Sequence, residues 1–155
     1  MCRLCWSLLV ILLLLGAGAT WKFVVRGETA PASDGRTAIL LPPAERDLVL
    51  AEMRAFLEAV QKINAALPEG DLAAAASAAR KVGGAAQQGV PASLVARLPL
   101  AFKRLGFDTH RRFDQLAMNA EQFGDPAQTQ RELATLMNNC IACHAAYRID
   151  PAPAD

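Results

Sequence analysis

Near the C-terminus the chain reads Cys140-Ile141-Ala142-Cys143-His144, and this run limits the fold more than any other. Two thiols a helical turn apart, followed at once by an imidazole, make the C-x-x-C-H pattern of c-type haem attachment. Each thiol can close a thioether to a haem vinyl group, and the histidine then reaches the iron as an axial ligand. The chain holds only two histidines, so finding one beside the thiol pair is informative. Other readings of the pair are weaker. A thioredoxin-type C-x-x-C belongs beside a strand in a βαβ pattern, and none surrounds this one. A structural zinc site needs four ligands, and no second Cys/His pair of matching spacing occurs beyond the N-terminal segment.

The other end of the chain constrains location. Arg3 precedes an apolar run from Leu4 to Ala19, which Lys22 closes. Ala17-Gly18-Ala19 offers a signal-peptidase site, as in a removable secretory signal. Apolar character resumes after it, however, with Trp21, Phe23, Val24 and Val25, and Trp6 and Trp21 bracket the run as interfacial anchors do. Eighteen residues from Leu4 to Trp21 lie at the short end of the roughly 17–25 that cross a bilayer. The balance favours an uncleaved anchor over a cleaved signal. Arg3 and the amino terminus then stay in the cytoplasm, and the rest is exported to a periplasmic compartment. Cys2 and Cys5 repeat the C-x-x-C spacing without a histidine and are assigned no role.

Between these ends the composition suits helices. Alanine and leucine dominate and β-branched runs are scarce after residue 41. Sixteen basic and fifteen acidic residues leave a net charge of +1, which supports no nucleic-acid partner. Residues 1–21 form the anchor or signal, 22–42 a connector, and 43–150 one helical domain. In the connector, 23–25 and 38–41 could pair as short strands. Pro42-Pro43 suits a helix start, and a first helix runs from Ala44 to about Leu67 with the stripe Leu50, Met53, Leu57, Val60, Asn64 and Leu67. A second, alanine-rich helix covers about 71–88, weakened or ended early by Gly83-Gly84. The third segment, about 92–123, is interrupted by Pro99 and Gly106, so a short helix and a kink precede a longer helix from Asp108. Gly124-Asp125-Pro126 stops it and opens a fourth, on which Leu133, Met137, Cys140, His144 and Tyr147 fall on one face. The expected fold class is all-α, an antiparallel four-helix bundle behind the N-terminal helix.

Four helices ending in Cys140-Ile141-Ala142-Cys143-His144-Ala145-Ala146-Tyr147-Arg148 resemble the cytochrome c′ (class II cytochrome c) family over roughly residues 43–149. The resemblance implies one covalently attached haem c, thioethers at Cys140 and Cys143, His144 as proximal ligand, and the first helix across the distal face. It also implies a choice. Members with an aliphatic distal residue leave the iron five-coordinate and bind nitric oxide or carbon monoxide, while members with methionine there are six-coordinate electron carriers. Family members place an arginine four residues before the distal position, against a propionate. Arg46 stands four before Leu50, which fits the open pattern. Met53, one turn on, fits the ligated one and is the only strong ligand on that stripe, so Met53 is favoured as the sixth ligand. His110 is the other candidate, although a hydrogen bond to a propionate or backbone carbonyl suits it better. Arg54, Tyr147 and Arg148 are candidate haem-edge groups, and Met118 and Met137 are expected to be packing residues.

These readings converge on a periplasmic monohaem cytochrome in electron transfer, with periplasmic or membrane redox proteins as partners and the membrane reached through the N-terminal helix. The alternative is a five-coordinate protein that binds nitric oxide or carbon monoxide beside Leu50. No general acid-base pair near the motif argues for an enzyme. The alanine-rich face at 72–86 would permit a homodimer.

Overall fold

A computed structural model describes residues 3–153; Cys2 lies outside the described residues. The chain is mostly helical, with six α-helices and one three-stranded sheet among the described residues. Helix α1 (Arg3–Thr20) runs without a break into a wider π-helical stretch, Trp21–Arg26. The apolar span Cys5–Arg26 therefore has 22 residues and a mean hydropathy of 2.2, and none of it is buried. At 1.5 Å per residue that is about 33 Å, enough for a hydrocarbon core of about 30 Å. This helix has the length and composition of a signal or a membrane anchor. Residues 23–25, expected as a strand, instead extend the helix.

Strand β1 (Thr29–Pro31) pairs antiparallel with β2 (Thr37–Leu41), and β2 pairs parallel with β3 (Tyr147–Pro151). The sheet corrects the all-α expectation. It also ends the last helix at Ala146, so Tyr147 and Arg148 are strand residues and not members of the helical face that carries Cys140. The remaining helices are α2 (Pro43–Ala66), α3 (Leu72–Arg80), α4 (Ala92–Arg97), α5 (Leu100–Phe123) and α6 (Pro126–Ala146). Pro43, with no amide hydrogen to lose, starts α2. Asp71 caps α3 through the Ala74 amide, and Asp125 caps α6 through the Ala127 and Gln128 amides. Leu98-Pro99 separates α4 from α5, as expected, but α5 passes through Gly106 unbroken. A helical glycine costs about 1 kcal/mol, which the buried face of a 24-residue helix absorbs.

The main core joins Ala59 and Ile63 of α2, the alanines of α3, Phe113 and Leu116 of α5, and Leu133 and Leu136 of α6. A second cluster sits at the sheet end and takes Ile39, Leu41, Val49, Leu94 and Phe102, with Met53, Cys143 and Tyr147 packed on it. The buried face of α2 is thus Val49, Ala59, Ile63 and Ala66, about one position round from the stripe the sequence suggests. Leu57 on that stripe is 70% exposed. On α6 the buried face is Thr129, Leu133 and Leu136, while Met137 and His144 are exposed. Met118 is exposed as well, so neither it nor Met137 packs in the core. Ala75, Ala76, Ala78 and Ala79 are all buried in the main core, which leaves the alanine face of α3 committed within the chain.

Candidate functional site

Cys140 and Cys143 lie in the last two turns of α6 as free, half-buried thiols. Burial raises both, and burial followed by the neighbouring Cys140 pushes Cys143 up to about 11. Redox-active C-x-x-C pairs have the opposite character, with a thiolate favoured by a helix N-terminus. The C-terminal end of a helix disfavours negative charge, so these sulfurs are protonated, neutral groups at pH 7. His144 follows on the exposed flank. At 100° per residue, Cys140, Cys143 and His144 occupy about 100° of the helix circumference, a single edge.

Two points of approach between α6 and α2, together with helical spacing, outline an apolar seam beside that edge. At one end Gln130 Nε2 donates to Asn64 Oδ1 at 3.3 Å. At the other, Met53 and Cys143 pack on the same cluster. Helical spacing places Leu57 on the face of α2 that carries Asn64, and Met137 and Ile141 on the face of α6 that carries Gln130. Leu57 is 70% exposed and Ile141 66% exposed. Large apolar side chains exposed on these two helix faces offer area that a ligand could cover.

The polar groups around the seam come from three places. Arg46 lies on the seam face of α2, and its buried Nε has no hydrogen-bond partner among the described residues. An orphaned guanidinium nitrogen is costly unless an acceptor reaches it, and a carboxylate is the acceptor that suits it best. Arg148, expected beside it at the haem edge, is spoken for: its Nε donates to Asp150 at 2.8 Å and its Nη1 to Asp34 at 3.3 Å. Arg36, in the turn before β2, donates through Nη1 to the carbonyls of His144 and Tyr147, both at 3.3 Å. It thereby closes the C-terminal end of α6 beside the motif. Hydrogen bonds from Arg36 hold the Asp34 carboxyl down at about 2, so Asp34 stays charged and fixes that guanidinium. Arg54 is exposed and Leu50 half-buried. Tyr147 stacks edge-on against Phe102, with ring centres 5.5 Å apart.

His110 stands elsewhere. It is 2% exposed, with Nδ1 2.8 Å from the Val82 carbonyl and Nε2 3.1 Å from Glu52 Oε1. Both neighbours only accept, so an imidazolium with a proton on each nitrogen satisfies them together. Burial pulls its pKa down, but the bonds to Glu52 and Val82 outweigh burial and hold it above the ordinary value. Among the described residues no cluster of three or more His, Cys, Asp or Glu side chains could hold a bare metal ion.

The chain matches no family model, no curated protein and no solved structure.

Sequence reasoning found the thiols, His144, Met53 and Arg46, and the fold brings Met53 and Cys143 onto one cluster. It missed Arg36 and Glu52. Arg36 is 108 residues from His144, and nothing local marks it. The residues fit a haem. Two thiols and an imidazole share one edge, an apolar seam lies beside them, a thioether faces the same cluster, and an unpaired guanidinium suits a propionate.

Proposed function

We propose that the chain is a periplasmic monohaem c-type cytochrome that carries electrons, with α2, α3, α5 and α6 acting as an antiparallel four-helix bundle of the cytochrome c′ type. The observation that carries this reading is the Cys140–His144 motif beside helix faces whose Leu57 and Ile141 no described residue covers. Bound there, a haem supplies one-electron cycling between ferric and ferrous iron. Cys140 and Cys143 would hold it covalently, and the His144 imidazole would be its proximal ligand. Met53, which shares a cluster with Cys143, is the ligand proposed for the other side. Arg46 would meet a propionate through the nitrogen that lacks a partner. Arg36 would keep the end of α6, and with it His144, in place.

His110 is committed to Val82 and Glu52 on both nitrogens, which argues against a bis-histidine site. The five-coordinate alternative needs Leu50 opposite His144, and Leu50 is absent from the cluster that takes Cys143, so the carrier reading is preferred. Partners of this reading are periplasmic or membrane redox proteins, and the N-terminal helix would serve as its anchor in the cytoplasmic membrane.

The test is expression of the exported chain beside a haem-maturation system. A covalently coloured protein, with neither thiol open to alkylation and one haem per chain, is expected. A colourless protein with both thiols alkylated would sink the proposal. Ferric and ferrous spectra of Met53→Ala then separate carrier from gas binder. Loss of the low-spin signal, with new carbon monoxide binding in the ferrous form, is expected of a ligated Met53.

A further inference from the structure

A cavity of about 580 Å³ lies against the face of α2 opposite the seam. Leu48, Glu52 and Phe56 line it from α2, whereas Leu50, Met53 and Leu57 point the other way round the helix. Its remaining walls come from the end of α3, α4 and α5, and Phe102 belongs both to the cavity and to the cluster beneath Cys143. The volume falls in the roughly 300–1,000 Å³ range of small-molecule sites. The lining is mainly apolar and aromatic with one carboxylate among it. His110 takes one oxygen of Glu52, and the other is uncommitted among the described residues. That oxygen accepts only, so it suits a ligand that donates a hydrogen bond.

Two features define how a ligand would arrive. Lys103 lines the cavity, and its ammonium donates to the Phe23 and Val24 carbonyls at 3.1 and 3.2 Å. Gly27, at φ +65°, packs so close that a Cβ would lie 2.3 Å from the Arg97 carbonyl oxygen. Only glycine fits there, and the Glu28 amide donates to the same oxygen at 2.7 Å. The cavity is therefore held at the foot of the apolar N-terminal helix. Its rim is greasy as well: Leu48 is 50% exposed and Phe107 52% exposed.

We propose that this cavity binds the ring of a lipid-soluble hydroquinone that enters from the bilayer and donates a hydroxyl hydrogen bond to Glu52. The aromatic walls suit a flat ring. Lys81 and Lys103 on the same lining oppose a cationic amphiphile and favour a neutral donor, for which a ring hydroxyl is suited. The proposal rests on the anchor reading of the N-terminal helix and is independent of the haem.

The test uses the full chain in phosphatidylcholine nanodiscs, with a decyl-substituted benzohydroquinone as probe and equilibrium dialysis as readout. One saturable site per chain above empty nanodiscs is expected. Glu52→Gln should weaken it about tenfold, the scale of one hydrogen bond to a charged group. Ala86→Trp, at an exposed position on the lining, should weaken it by at least as much by filling space, and the dimethyl ether of the probe should bind poorly. No saturable binding, equal binding of the ether, or indifference to Ala86→Trp would overturn the proposal. So would a mature protein whose N-terminal sequence begins after Ala19. Haem content measured on the same samples keeps the two readings apart, because a haem-free chain that binds the probe sinks only the cytochrome.

Discussion

Two helix pairs in this chain are built from opposite materials. Where α3 packs on α5, Ala75, Ala76, Ala78 and Ala79 share one cluster with Ala117 and Ala120, and every one of them is buried. Small residues let the backbones approach closely and leave no room for anything between. Where α2 meets α6, Leu57, Met137 and Ile141 are large and open to solvent. The first pair is complete as polypeptide. The second has apolar area that no described residue covers, at about 25 cal/mol for each Å² that a ligand would remove from water. The contrast sets an alanine-packed pair that carries stability against the seam where the proposed haem would sit.

The strongest way to break this comparison is to remove the sulfurs. Cys140→Ala/Cys143→Ala should lose all covalently bound haem on a denaturing gel while the far-ultraviolet circular dichroism of the chain persists. Persistent covalent haem would place the attachment elsewhere. Next in size is a pair of substitutions read together. Ala76→Leu, in the closed pair, should cost about 1–3 kcal/mol by overpacking, with or without haem. Leu57→Ala should change the haem-free chain by no more than about 0.5 kcal/mol, as exposed positions do, and cost measurably more once haem is bound. Urea denaturation of both forms checks this. Equal costs for Leu57→Ala in the two forms would mean the seam covers nothing.

A smaller effect is expected from Arg36→Ala. It removes the donor to the His144 carbonyl at the end of α6 and to the Tyr147 carbonyl that opens β3, and should cost about 1 kcal/mol, the net scale of such bonds. A merely structural role would stop there. A role in holding His144 also predicts a shifted reduction potential, with partial recovery in Arg36→Lys.

What the sequence made legible follows from how local each signal is. The start of α2 at Pro43 and the capped starts of α3 and α6 depend on neighbours along the chain, and they lie where Pro42-Pro43, Asp71 and Asp125 put them. The buried faces of α2 and α6 do not. Val49 and Leu50 are both apolar, as are Leu136 and Met137, so periodicity alone leaves a one-position ambiguity that only packing resolves. The stripes read from sequence split: Leu67 and Leu133 join the main core, with Val60 packed against it, and Met53 joins the second cluster, while Leu57 and Met137 stay open. Strand β3 was invisible because Tyr147–Pro151 becomes a strand only by pairing with Thr37–Leu41 from the far end of the chain. The clasp of Arg36 on His144 depends on that same pairing.

The smallest effect separates packing from charge on the closed side. His110 joins α5 to α2 through Glu52 and to the end of α3 through Val82, so one buried proton links three elements whose other polar ties, Arg80 to Glu121 and the Gly84 amide to Asp114, are exposed. Its pKa is raised in the folded chain above an unfolded value of about 6.5. The folded state therefore binds the proton more tightly than the unfolded state. The stabilisation is fully present below about pH 6.5 and is lost as pH rises through the higher folded value. The melting temperature should accordingly fall on the alkaline side of neutrality, and His110→Gln should flatten that fall while lowering the plateau below it. Cys143, at about 11, titrates above this window, so the thiols do not confuse the measurement. If His110→Gln keeps the same slope, the ring holds the three elements by packing against Phe56, 4.9 Å away between ring centres, and its proton contributes nothing to that side of the molecule.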